Sequence, residues 1–220
     1  MRKALIFTLG IVLSASAAHA QEKRGYIEGA AGFTSLTDST TSNASGEVAF
    51  KVAPKLMVFG NLGRLNDLTS SSIQNSINNA VTALSTNNDL TVTGEAKIPA
   101  WYTLGGAKFQ MLNHTPITPF VMGGIGWARL NPSVHFLYDS GTTLSGNDAV
   151  AGDDLTPDIE SNGLFTAPTP SNAFMFRTGG GVQVPLGKHL LSSVGYTYSR
   201  ISADTPINAQ DVTFGLGVRF

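Results

Sequence analysis

Three groups of residues in this 220-residue chain have types and spacings that could do chemistry. Ser133 and His135 stand two apart, so in a strand they share one face. A serine hydroxyl beside an imidazole begins a nucleophile–base pair, which a carboxylate orienting the imidazole would complete. The acidic stretch 139–160 contains Asn147-Asp148 and Gly152-Asp153-Asp154, oxygen ligands of the type that calcium takes. Their spacing is not that of a calcium loop, so a solvated acidic segment is expected, with no metal and no cofactor. The third group is dispersed: Glu28, Glu47, Lys51, Arg177 and Arg219 each fall on the polar parity of an alternating segment. Gathered in one narrow interior, these two acids and three bases would pair, because isolated charge there is costly.

The elements that must position these side chains read as strands. In 211–220, Val212, Phe214, Leu216, Val218 and Phe220 occupy one parity, against Thr213, Gly215, Gly217 and Arg219 on the other. Period two puts the two sets on opposite faces. A soluble sheet would hide the apolar face in a core, whereas a transmembrane barrel turns it to lipid. Strand-like patterning recurs over 25–36, 47–52, 56–65, 98–110, 119–130, 172–184 and 190–201, giving eight strands with 211–220. Their connections alternate in length. Long, polar loops over 37–43, 66–95, 131–171 and 202–210 alternate with tight turns near Pro54, Pro116 and Gly187. Outer-membrane barrels sort their connections in this way, with short periplasmic turns and longer extracellular loops. Within the second loop, Ile73, Ile77, Val81 and Leu84 recur at helical spacing. They predict a short helix over 70–85 packed on the barrel rim; its polar face has no Lys or Arg to attract lipid head groups. Tyr26, Trp101, Tyr102, Trp127, Tyr196, Tyr198 and Phe220 lie near strand ends, where interfacial girdles sit.

The first residues form a processing signal. Arg2 and Lys3 precede an apolar run over 4–13, and Ala18-His19-Ala20 supplies a small-x-small cleavage site. A cleaved signal peptide over 1–20 and one exported domain over 21–220 are expected. Removing Arg2 and Lys3 leaves 14 − 2 = 12 basic side chains against 15 acidic ones, a net charge of −3. That is no footprint for nucleic acid, which calls for a basic patch. The chain has no cysteine, so neither disulfides nor a lipidated cysteine enter. No mature segment approaches the roughly 20 apolar residues of a transmembrane helix, so any crossing is made by strands.

Strand number, loop sorting and leader together resemble the small outer-membrane β-barrel proteins, in particular OmpA-like and related eight-stranded barrels. The alternation Val212-x-Phe214-x-Leu216-x-Val218-x-Phe220 and the glycine-rich segments 119–130 and 177–187 carry the resemblance. It implies an all-β, eight-stranded, antiparallel up-and-down transmembrane barrel in the cell outer membrane, surrounded by outer-membrane lipid. It further implies that Phe214, Leu216, Val218 and Phe220 are an assembly signal for the barrel-assembly machinery. The peptidoglycan-binding domain of full-length OmpA-type proteins has no counterpart here, so no tether to the cell wall is expected. The expected role is structural or surface-interactive and not enzymatic, with an extracellular partner engaged by loops 66–95 and 131–171. Two other roles are weighed against it. A narrow transport barrel must contend with an eight-stranded interior only wide enough for side chains. A rim-site lipid hydrolase using Ser133 and His135 would reverse the His-x-Ser order of lipid A deacylases.

Overall fold

The computed structural model describes residues 24–37, 39–69, 71–111, 117–143, 148–166, 168–203 and 205–220. The proposed leader 1–20 lies outside them, as do Asn113, His114, Pro116 and Asn147. In chain order the elements are β1 (Gly25–Ser35), β2 (Thr40–Ala53), β3 (Leu56–Leu65), α1 (Ser71–Asn88), β4 (Leu90–Lys97) and β5 (Ala100–Gln110). Then follow β6 (Thr118–Leu130), β7 (Ser133–Gly141), α2 (Thr156–Ser161), β8 (Ser171–Leu186), β9 (Leu190–Ser202) and β10 (Ile207–Arg219). Eight of these strands close into an antiparallel barrel in the order β1-β10-β9-β8-β6-β5-β3-β2. The closing seam pairs Ile27 with Val218 and Phe33 with Val212.

Exposure along the barrel strands is inverted relative to a protein in water. Leu216 is 68 % exposed and Phe214 56 %, and Ile27, Phe33, Leu62, Ile125 and Trp127 also point outward. A band of this size would be an association site in water; on a closed barrel it is the surface that lipid covers. The short β2–β3 and β8–β9 connections lie at one end, with Arg24 and Phe220. There Gly187 sits at φ +75°, in the left-handed region that glycine enters without a Cβ penalty. The long connections gather at the other end, the extracellular end in barrels of this architecture.

Two of the expected loops are shorter than 37–43 and 202–210, because β2 already begins at Thr40 and β10 at Ile207. Thr40 and Thr41 are β-branched and suit a strand, and Asn43 turns inward to donate its amide to Thr34 Oγ1 at 2.8 Å. The other two loops differ more. Segments within 66–97 and 131–171 fold together into one extramembrane unit in which β4 pairs antiparallel with β7. Here patterning obeys the rule for water: Leu90, Val92, Val134 and Phe136 are buried, while Thr91, Thr93, Ser133 and His135 face out. The buried face meets Ile77 and Leu84 of α1 and Ile159 of α2 in a separate core.

α1 therefore packs chiefly on the β4–β7 sheet, not on the barrel rim; Ile73 alone of its apolar stripe reaches the cluster at the barrel mouth. Gly94 explains the choice. A Cβ there would lie 2.3 Å from Ile77 Cγ2 and 3.1 Å from Val81 Cγ2, so only glycine lets helix and strand meet this closely. At the mouth itself, Leu68 and Ile98 from the connecting segments join the inward-facing Leu65, Leu104, Met175 and Ile201 in an apolar cap.

Candidate functional site

Below that cap the lumen holds two polar layers. In the upper one, inward positions of β8, β10, β9 and β5 converge on the Arg177 guanidinium. It donates from Nη2 to Asp211 Oδ2 at 2.9 Å, from Nε to Ser199 Oγ at 2.8 Å and from Nη1 to Tyr102 Oη at 2.8 Å. The Asp211 carboxylate also accepts from the hydroxyls of Thr34 and Thr197. Arg177 and Asp211 are almost wholly buried, so each depends on the other and on these hydroxyls to offset lost hydration.

In the lower layer Lys108 does the same work. Its ammonium donates to Glu47 Oε1 and to the Tyr26 hydroxyl, and Tyr26 in turn donates to Glu47. The ammonium also lies 4.5 Å from the Phe120 ring centre and 5.2 Å from that of Tyr26, a favourable approach of a cation to aromatic faces. Glu28 accepts from Ser193 at 2.8 Å through Oε1. Between the layers is a cavity of about 50 Å³ bounded by Glu28, Asn61, Lys108 and Arg177, room for a water or two. The interior is filled by its own side chains.

Of the five dispersed charged residues, the structure buries Glu28, Glu47 and Arg177 in the lumen. Lys51 lies half-buried near the turn end of β2, and Arg219 donates to the Gly187 carbonyl at 3.1 Å, at the same end. Lys108 and Asp211 occupy the central places that patterning did not assign. Tyr26 and Tyr102 are corrected as girdle residues: they share parity with inward positions and their hydroxyls join the charged layers. Trp101, Trp127, Tyr196 and Phe220 do face outward. Arg64 on the same outer face stands 5.5 Å from the Trp101 ring.

In the extramembrane unit, Ser133 and His135 share the exposed face of β7. The imidazole Nδ1 lies 2.8 Å from Asp154 Oδ2, so a carboxylate does orient it. The Ser133 hydroxyl, however, donates to the Lys97 carbonyl at 3.3 Å instead of to the imidazole. Slight burial tends to raise the Asp154 carboxyl, but hydrogen bonds from Thr156 and His135 outweigh it and hold the group below the ordinary aspartate value. Asp153 accepts from the Val150 amide at 2.8 Å and Asp154 from the Thr156 amide at 3.0 Å, so these acids brace their own loop. Among the described residues no group of three or more acids and histidines could hold a metal ion.

The sequence profile described as "Outer membrane protein beta-barrel domain" matches residues 5–220. The chain belongs to this family of outer-membrane β-barrels. Membership places the barrel in the outer membrane, and the outward apolar band is its lipid contact. Solved structures similar to this outer-membrane barrel include Neisserial surface protein A, at 12% identity and a TM-score of 0.49, over 89% of this chain and 97% of that one. Another is Ail, the attachment invasion locus protein of Yersinia pestis, at 10% identity and a TM-score of 0.49, over 89% and 97%. A third is the N-terminal β-barrel domain of Pseudomonas aeruginosa OprF, at 9% identity and a TM-score of 0.44, over 90% and 100%. No curated protein matches the chain.

Proposed function

We propose that this outer-membrane barrel is a surface-interaction protein: its lumen is structural, and its working surface is the unit built from α1, β4, β7 and α2. The observation that carries the reading is that segments of two long loops share one apolar core, containing Ile77, Leu84, Val92, Phe136 and Ile159. A surface ordered in advance spares a partner the entropy of ordering it on binding. Within this unit β4 pairs with β7 alone among the described strands. The backbone groups along its other edge are a template that an extended segment of a partner protein can join as an added strand. The filled lumen argues against the transport alternative. Ser133 and His135 enter the reading as surface residues of the unit, not as nucleophile and base. At the opposite end, the Phe220 ring meets Phe50 at 5.8 Å between ring centres; the outward row Phe214, Leu216, Val218 and Phe220 supports reading the last strand as the segment that the assembly machinery handles.

Adherence of expressing cells to protein-coated surfaces tests the proposal. A Thr91→Pro variant, which removes a donor from the β4–β7 ladder and so disrupts the unit, should lose adherence while the barrel keeps its heat-modifiable gel mobility. Unchanged adherence, or discrete channel openings of the native protein in a planar bilayer, would reverse it.

A further inference from the structure

The charged side chains buried in the lumen do not balance. Glu28, Glu47 and Asp211 are acids, against the two bases Lys108 and Arg177. Arg177 pairs with Asp211 and Lys108 with Glu47, which leaves Glu28 in salt-bridge contact with no base among the described residues. Its Oε1 accepts from the Ser193 hydroxyl. Its Oε2 is buried and meets no donor among those residues, and the same holds for Asn61 Oδ1. Glu28 and Asn61 are 8 % and 9 % exposed, and both line the cavity of about 50 Å³ between the two polar layers. Each of the eight barrel strands contributes to its wall. Every residue of those strands is described, so the ring of side chains around the cavity is read in full.

A buried carboxylate without a countercharge is costly. Water would satisfy its lone pairs but not its charge. The space admits a water or two, hence only a small ion stripped of most of its own water. The atoms on offer are oxygens: the two unpartnered ones and the hydroxyls of Ser45, Thr197 and Thr213. Hard cations take such ligands. A divalent ion would exceed the single surplus charge and would stand close to Lys108 and Arg177, which also border the cavity.

We propose that this cavity holds one small monovalent cation, sodium or potassium, bound by Glu28 Oε2 and Asn61 Oδ1. The Arg177 layer covers the site on one side and the Lys108 layer on the other, so the ion is taken up as the barrel closes. It is a resident of the fold, and the inference stands whether or not the extramembrane unit binds a partner. The test refolds the full chain into vesicles of a zwitterionic phospholipid and titrates it with urea. Ionic strength is held constant with N-methylglucamine, a cation too large for the cavity. Replacing it with sodium or potassium should stabilise the barrel. Beyond half-saturation, each tenfold rise in the bound ion should raise the folding equilibrium constant about tenfold. Glu28→Gln, which removes the surplus charge, should abolish this dependence, and Asn61→Leu should move half-saturation at least tenfold higher. Equal stability in all three cations would mean an ordered water or a retained proton only, and would overturn the proposal. A dependence that persists unchanged in folded Glu28→Gln would also overturn it, because its source would then be the lipid or the protein surface. Should that variant lose its heat-modifiable mobility, unchanged half-saturation in Asn61→Leu would decide against the site in the same way.

Discussion

Replacing Arg177 with methionine tests whether the upper polar layer holds the barrel together as the geometry requires. The guanidinium is 7 % exposed and its partner Asp211 1 % exposed. Deleting one member of such a buried pair strands the other and costs about 3–5 kcal/mol. Asp211 would keep the hydroxyls of Thr34, Thr197 and Ser199, each already present in the native protein. The loss should therefore sit near the lower end, about 3 kcal/mol. Asp211→Asn should cost a similar amount, because it leaves the guanidinium buried without a counterion. The double variant should fall short of the sum of the two by at least ~2 kcal/mol, within the coupling seen for groups of one network. Equilibrium unfolding by urea in lipid vesicles, followed by tryptophan fluorescence and gel mobility, supplies all four corners of the cycle. Single variants within ~1 kcal/mol of the native protein, or strict additivity, would refute a paired and load-sharing layer.

Gly94→Ala should push α1 off the sheet at a cost of about 1–3 kcal/mol for overpacking; amide exchange in α1 should speed up while that of β5 and β6 stays unchanged. Ile125→Arg, at the middle of β6 and facing outward, should destabilise the inserted barrel by about 2–4 kcal/mol, measured by the same urea titration. The Asp154 carboxyl is held below its ordinary value of 3.8, so its contribution is present above that pH and is lost as pH falls through the lower, folded value. Protection of the amides around Thr156 should thus decline on acidification below about 4, and Asp154→Asn should remove that dependence.

The barrel strands were legible because lipid inverts amphipathicity and leaves a strict period of two, as in Val212 to Phe220. Arg177 stood out for the same reason, as a lone base opposite Phe174 and Phe176. Lys108 did not, because its strand runs through Gly105, Gly106 and Ala107, whose small side chains give parity little contrast. Asp211 shares the inward parity of the segment 211–220, but as its first residue, next to the polar loop 202–210, it does not stand out from the loop's polarity. The strands β4 and β7 were hidden by a change of rule. Leu90 and Val92 alternate with Thr91 and Thr93 as plainly as any barrel strand, but with the apolar face inward. Their pairing also joins segments separated by two whole barrel strands, a relation that no local pattern records.

The pairing of β1 with β10 has a consequence in time. Tyr26 meets Arg219, about 190 residues later, whereas hairpins such as β8–β9 join across a three-residue turn. Closing a chain segment that long costs about 4–5 kcal/mol of conformational entropy beyond a constant. The hairpins can therefore form early, but the seam must come last. Until it does, two rows of backbone amides and carbonyls face hydrocarbon, each unsatisfied group costing several kcal/mol. A half-inserted barrel is thus caught between an edge it cannot expose to lipid and a partner strand it has yet to meet. The final strand works as a latch, whose pairing with β1 removes the last open edge of the barrel.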